Sequence, residues 1–89
     1  MRALVTVIGM DKIGIIASVC THLAEKRVNI LDISQTIQKD YFTMIMLVDV
    51  GACDISFSAL SEGLGDLGQS MDLNIRIQRE EIFNAMHRI

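Results

Sequence analysis

The chain opens on a run in which apolar residues fill nearly every place. Residues 2–8 alternate, with Ala3, Val5 and Val7 on one face and Leu4, Thr6 and Ile8 on the other. Both faces are substantially apolar, the pattern of a central strand covered on two sides. From Ile13 the period becomes helical: Ile13, Ile16, Ala17, Cys20, Leu23 and Ala24 share one face, and Ser18, Thr21, His22 and Glu25 fall on or near the other. This helix is expected to end near Arg27, with Lys26 and Arg27 set against its negative end. Between strand and helix lies Gly9-Met10-Asp11-Lys12-Ile13-Gly14, a short turn bracketed by two glycines. Glycines at such places let backbone bend sharply or approach a neighbour closely. The unpaired N–H groups of a helix start there suit a small polar or anionic ligand, although any strand-to-helix turn has roughly this shape.

Residues 28–38 read as a second strand, with Leu31, Ile33 and Ile37 on one side and Asp32, Ser34 and Thr36 on the other. Lys39-Asp40 is a tight polar connection to Tyr41–Val50, so the two strands form an antiparallel hairpin. In the third strand Phe42, Met44, Met46, Val48 and Val50 share a face that should meet the helices. Ile45 and Leu47 lie on the other face, for which a partner subunit is the expected cover. After a loop from Gly51, the residues Phe57, Leu60, Leu64, Leu67 and Met71 recur at helical spacing, with Asp54 or Ser56 as N-cap. Gly63, Gly65 and Gly68 each weaken this second helix by about 1 kcal/mol relative to Ala, and it is expected to be held by packing and to fray or end between Gly65 and Gly68. Leu73, Ile75 and Ile77 then alternate with Asn74, Arg76 and Gln78, giving a last strand with one polar face. The tail from Glu80 carries Ile82, Phe83, Met86 and Ile89, acids first and His87-Arg88 last, the charge order of a short terminal helix.

The order strand, helix, strand, strand, helix, strand is that of the α+β, ferredoxin-like βαββαβ fold. It predicts a four-stranded antiparallel sheet with two helices on one face, plus a short C-terminal helix. One domain over residues 1–89 is expected, with a core at 2–79 and a tail helix at 80–89.

Composition adds partners and exclusions. Hydrophobic residues make up 51% of 89, with no Pro and no Trp, so the core is built from Ile, Leu, Val and Met. That supply is more than one small core hides, and self-association is expected. The net charge is −3 and no Lys/Arg run exceeds Lys26-Arg27, which argues against direct nucleic-acid binding. No apolar stretch approaches the roughly 20 residues that span a bilayer, so no membrane partner is expected. Met1-Arg2 leads straight into a strand with no leader pattern, and Cys20 and Cys53 are expected as free thiols in the cytoplasm.

Most constellations of chemistry fail at named positions. Gly63-Leu64-Gly65-Asp66-Leu67-Gly68 spells G-x-G-x-x-G but sits inside a helix pattern, whereas dinucleotide binding needs a strand before it and a helix opening from it. Cys20 and His22 are two apart on one helix and do not face each other; Cys53 and His87 are isolated. The acids Asp11, Asp32, Asp40, Asp49 and Asp54 are scattered. RNA-recognition modules of this fold stack bases on sheet aromatics, where the third strand has Met44 and Met46. Copper chaperones need a Cys pair in the first turn and acylphosphatases an Arg; the turn holds neither. No metal, no cofactor and no catalysis are expected.

The pattern Val5-Thr6-Val7-Ile8-Gly9-x-Asp11-x-x-Gly14-Ile15, followed by Asn29-Ile30 opening strand two, resembles the ACT domain family over about residues 2–79. The segments 29–36 and 41–46 and the tail 82–89 are similar to small bacterial stand-alone ACT proteins, and more distantly to the ACT modules of the glycine-cleavage transcriptional repressor. The resemblance implies a regulatory module binding an amino acid or related metabolite, generally across a subunit interface. It places ligand contacts at Gly9, Met10, Asp11, Lys12, Ile13 and Gly14 of one subunit, and at Asn29 and Ile30 near a facing one. In serine-binding members a His and an Asn take the positions of Gly9 and Asp11, so this chain departs from the serine pattern. An Asp at position 11 suits an α-amino group, and Asn29 can both donate and accept; alternatively Asn29 is a turn residue at positive φ. The resemblance thus implies a homodimer that senses a small molecule and signals to a regulatory protein partner. The alternative is an interaction module with a vestigial ligand site, whose tail 81–89 docks a partner. Either joined sheet edges or stacked sheet faces would make the dimer, and the apolar second face of Tyr41–Val50 favours stacking.

Overall fold

The computed structural model describes residues 1–86, without the side chains of Phe83 and Met86; the expectations for His87, Arg88, Ile89 and those two side chains lie outside the described residues. The elements follow as β1 (Arg2–Met10), α1 (Ile15–Glu25), β2 (Asn29–Gln38), β3 (Tyr41–Asp49), α2 (Phe57–Met71), β4 (Leu73–Arg79) and α3 (Glu80–Met86). The four strands form one antiparallel sheet in the order β2-β3-β1-β4. This is the expected ferredoxin-like arrangement, with α1 and α2 against one face.

The face that meets the helices carries Ala3, Val5 and Val7 of β1, Phe42, Met44, Met46 and Val48 of β3, and Leu73, Ile75 and Ile77 of β4, all buried. Ile15, Val19 and Leu23 of α1 and Leu60 and Leu64 of α2 close over them. Here the first helix departs from its expected phase. Ile13 is fully exposed and precedes the helix, while Ile16, Ala17 and Ala24 face solvent. Residues 13–20 are apolar nearly all round, so two stripes fit the same period. The larger, evenly stacked Ile15-Val19-Leu23 stripe takes the core. Gly14 sets the phase: its φ of 88° breaks the chain's path before the helix, and its carbonyl accepts the first helical bond from Ser18 N–H at 2.9 Å. At the other end α1 stops at Glu25, and Arg27 takes the left-handed conformation (φ 61°) that turns the chain into β2.

The second helix also differs from expectation, running through all three glycines to Met71. Ser56 is its N-cap, the hydroxyl accepting from Ala59 N–H at 3.1 Å, and Asp72 ends it in the left-handed region. One of the glycines, Gly68, is there for close packing. A Cβ on Gly68 would stand 2.7 Å from the Leu73 carbonyl oxygen, so only Gly lets α2 lie this near β4. A Cβ on Gly63 would meet the His22 imidazole of α1 at 3.4 Å. Gly65 faces open space. The Arg79 guanidinium, 4.9 Å from the Phe57 ring centre, closes the far end of the α2–β4 pair.

β2 and β3 are joined by the two-residue turn Lys39-Asp40, with Lys39 at φ 59°. A bulge at Leu31 shifts the β2 register, so that Ile30, Ile33, Gln35 and Ile37 lie on the helix side and Asp32, Ser34 and Thr36 on the other. On the open face, α3 turns back directly from β4 and lies beside Leu4, Ile45 and Leu47, with Arg2 Nη2 2.5 Å from Glu80 Oε2. Part of the cover expected from a partner subunit is therefore supplied by the chain itself. Cys20 and Cys53 are both free and half-buried.

The glycine contacts predict opposite outcomes for two neighbouring substitutions. Gly65→Ala should raise stability by about 0.5–1 kcal/mol, because an exposed helical site gains propensity with no clash. Gly68→Ala should lower it by about 1–3 kcal/mol through overpacking. Urea unfolding at matched protein concentration checks both.

Candidate functional site

The turn that leaves β1 is held at both ends. Gly9 is still within β1, paired with Phe42 and Leu73, and a Cβ there would come within 2.5 Å of Leu73 Cδ2. A side chain at this position would require the Leu73 side chain to move aside, while the β4 backbone stands at ordinary contact distance. One step beyond Met10, Asp11 N–H donates to the Asp40 carbonyl at 2.8 Å, tying the turn to the tip of the β2–β3 hairpin. Lys12 Nζ donates to the carbonyl of Met71 at the end of α2. Lys12 is thus a strut between turn and helix rather than a free cation. Gly14 then opens α1 with no side chain capping it and no acid in the first turn.

Two chemical consequences follow. The first amides of α1 have no protein acceptor among the described residues, and the positive end of the helix dipole faces outward there. Asp11 is exposed, and its carboxylate has no hydrogen bond or ion pair among the described residues. A hydrogen-bond donor set and an unpaired carboxylate therefore stand together at one rim.

They border a cleft of about 280 Å³ between the start of α1 and β2, lined by Asp11, Lys12, Gly14, Ile16, Gln35 and Ile37, with Phe42 and Ile15 at its base. Of the expected contacts, Asp11, Lys12 and Gly14 line this cleft. Gly9 and Met10 lie in the strand that leads to it, and Ile13 projects into solvent. Gln35, Ile37 and Phe42 were not expected. Their signal was present in the pattern: Gln35 interrupts the apolar row Ile33-Gln35-Ile37, a polar residue where the period calls for an apolar one.

Asn29 and Ile30 do not join this cleft within one chain. Asn29 pairs with Asp49, which pairs with Arg2, whereas the turn begins at Met10 opposite Tyr41. Those rows lie at opposite ends of β1, roughly 26 Å apart at about 3.3 Å per residue. Nor is Asn29 the turn residue at positive φ; Arg27 fills that role. A larger hollow of about 720 Å³ follows the outer side of β4 past Asp66, Gln69, Asp72 and Arg76. It is broad and holds none of the expected contacts, so the smaller cleft is the better candidate on chemical grounds. Among the described residues there is no group of three or more His, Cys, Asp or Glu placed to hold a metal ion, and no helix is long and apolar enough to cross a membrane.

Residues 2–78 match the family model of the ACT domain. A UPF0237 protein of Bifidobacterium longum is 53% identical over 88 residues, covering 99% of this chain and 98% of the relative. Among solved structures, an ACT domain protein from Streptococcus pneumoniae superposes with a TM-score of 0.83 at 41% identity, covering 98% of each chain. A structure assigned to a glycine cleavage system transcriptional repressor gives a TM-score of 0.72 at 28% identity, covering 88% of this chain and 44% of that one.

The backbone at the cleft mouth predicts a specific cost. Gly14→Ala meets no steric neighbour but must hold φ 88°, so it should lose about 1–2 kcal/mol. Gly14→Asn should lose less, since Asn tolerates left-handed backbone better. Thermal unfolding of the two variants beside the parent protein checks the order.

Proposed function

The chain belongs to the ACT domain family, and from that premise we propose that it is a regulatory small-molecule-binding module, sensing an amino acid or related metabolite at the interface of a cytoplasmic homodimer. One observation carries the reading: the cleft is open along the outer edge of β2, so that a second copy can complete it. Every residue from Leu31 to Gln38 is exposed, and β2 is an outer strand of the sheet with no proline to blunt it; along it Ile33 N–H donates to the Asp32 carboxylate at 2.9 Å. Antiparallel pairing of β2 with β2 of a second copy, centred near Ile33 and Ser34, sets Asn29 of one copy beside Gln38 of the other. Gln38 is the residue across from Tyr41, at the turn end of the sheet. The same pairing therefore carries Asn29 and Ile30 to the cleft rim of the neighbouring copy, and each dimer has two equivalent sites.

The roles follow from the groups present. Asp11 receives an α-ammonium group, a charge-assisted hydrogen bond between opposite charges. The uncapped amides of α1 at Gly14 receive the α-carboxylate. Asn29 of the second copy donates and accepts, and Gln35, Ile37 and Ile16 meet the ligand's side chain. The module acts by binding rather than by catalysis. Because both copies contribute to each site, a bound ligand has different affinity for different arrangements of the dimer, and that difference is the signal passed to a regulatory protein partner.

A thermal-shift screen of the full chain against the twenty amino acids tests the reading. A ligand at 100 times its dissociation constant adds about 2.7 kcal/mol to the folded state. For a domain of this size that is a rise of about 10 °C or more. Asp11→Ala and Asn29→Ala should each abolish the rise while leaving the unliganded melting temperature near its original value, since both side chains are exposed. A ligand whose shift survives both substitutions would place the site elsewhere.

A further inference from the structure

Resting on the ligand reading above, we infer that the cleft selects one chemical class: an α-amino acid whose side chain is uncharged, largely apolar and of about the size of leucine or methionine. The surfaces left over once the ligand's ammonium and carboxylate are placed decide this.

Charge comes first. Among the described residues, Asp11 and Lys12 are the charged ones that line the cleft. The Asp11 carboxylate is taken by the ligand's α-ammonium, so a second cation, as on a lysine or arginine side chain, meets no carboxylate. The Lys12 ammonium is held by the carbonyl of Met71, which lies at the end of α2 and outside the cleft lining. A side-chain carboxylate would therefore enter beside Asp11 with no cation to receive it. The residues that the proposed second copy brings, Asn29 and Ile30, are uncharged as well. An unpaired charge set against these walls loses hydration and gains nothing, so acidic and basic amino acids are rejected alike.

Apolar surface then sets the size. Phe42 and Ile15 form a buried base. Above it Ile16 of α1 is 38% and Ile37 of β2 56% exposed, one from each wall of the cleft. The side chain of alanine or serine is too short to cover both, whereas one of three or four carbons removes them from water together. Gln35, on the same β2 row as Ile37, is neutral and exposed. Its carboxamide stays in water beside an aliphatic side chain and offers no charge to a polar one. The volume of about 280 Å³ is at the small end of ligand pockets and fits a single amino acid rather than a nucleotide or a peptide.

The test is a homologous series titrated calorimetrically into the full chain: alanine, 2-aminobutyrate, norvaline and norleucine, with glutamate and lysine beside them. Each methylene buried against Ile16 and Ile37 should tighten binding about fourfold. Glutamate and lysine should bind no better than alanine. Ile37→Ser should flatten the series while leaving the affinity for alanine near that of the parent. Gln35→Lys should raise the affinity for glutamate about tenfold, because it supplies the missing cation. Both side chains are exposed, so both variants should keep the parent's melting temperature, and the series in the parent carries the test without them. Affinity that is flat or falls along the series overturns this selectivity, as does glutamate or lysine binding best. Where that binding is still lost in Asp11→Ala, the ligand reading stands without the selectivity. Absence of binding by any amino acid would remove both.

Discussion

Burial of one sheet face under two helices is the interaction on which the molecule depends, and it is unevenly distributed. α1 and α2 seal β1, β3 and β4, whose inward side chains are buried from Ala3 to Ile77. The close approach of α2 to β4, possible only because Gly68 lacks a side chain, draws that helix to one side of the sheet. Cover is exhausted before β2, whose inward row Ile33-Gln35-Ile37 stays exposed. An apolar row beside an unpaired backbone edge is a combination that soluble proteins ordinarily suppress with charges, prolines or a capping element. Here the edge carries Lys only at the hairpin tip, in Lys39.

The candidate site is a product of the same imbalance. The gap left between α1 and β2 becomes the cleft, and the turn entering α1 becomes its rim. Asp11 is fixed by its own backbone bond to the hairpin tip and Lys12 by its bond to the end of α2, so the rim is held without using the Asp11 carboxylate. Gly14 starts the helix at an angle that leaves its first amides uncapped. Incomplete cover, a rigid turn and free polar groups thus share one physical origin. In the proposed dimer, the second copy that hides the β2 edge would also supply the groups that one chain lacks at the cleft.

Much of this was legible in the residue pattern, and the failures have identifiable causes. Strand order, the hairpin at Lys39-Asp40 and the buried row Phe42-Met44-Met46-Val48 followed from alternation and turn chemistry, because strand faces are fixed by a period of two. The helix faces were harder. The stretch from Ile13 to Cys20 is so apolar that periodicity allowed two stripes, and the packing of Ile15, Val19 and Leu23 decided between them. Glycine's weak propensity predicts too early an end for α2, because the particular tight contact that makes Gly68 necessary and carries the helix to Met71 lies between segments distant in the pattern. Within the site, the turn residues Asp11 to Gly14 were readable from local sequence. The strut role of Lys12 and the lining role of Gln35 were not, since both depend on contacts between distant segments. The separation of Asn29 from the turn likewise emerges only from the strand register.

Hydrogen exchange of the β2 amides tests the central claim most directly. Alternate N–H groups of residues 29–38 point away from β3 and, apart from Ile33 N–H, which donates to the Asp32 carboxylate at 2.9 Å, have no partner among the described residues. If β2 is the seam between two copies, those amides exchange slowly, and their protection falls on dilution as the copies separate. Rapid exchange of the outward amides at every protein concentration, with the β1 and β3 amides still protected, would contradict a shared site at this edge.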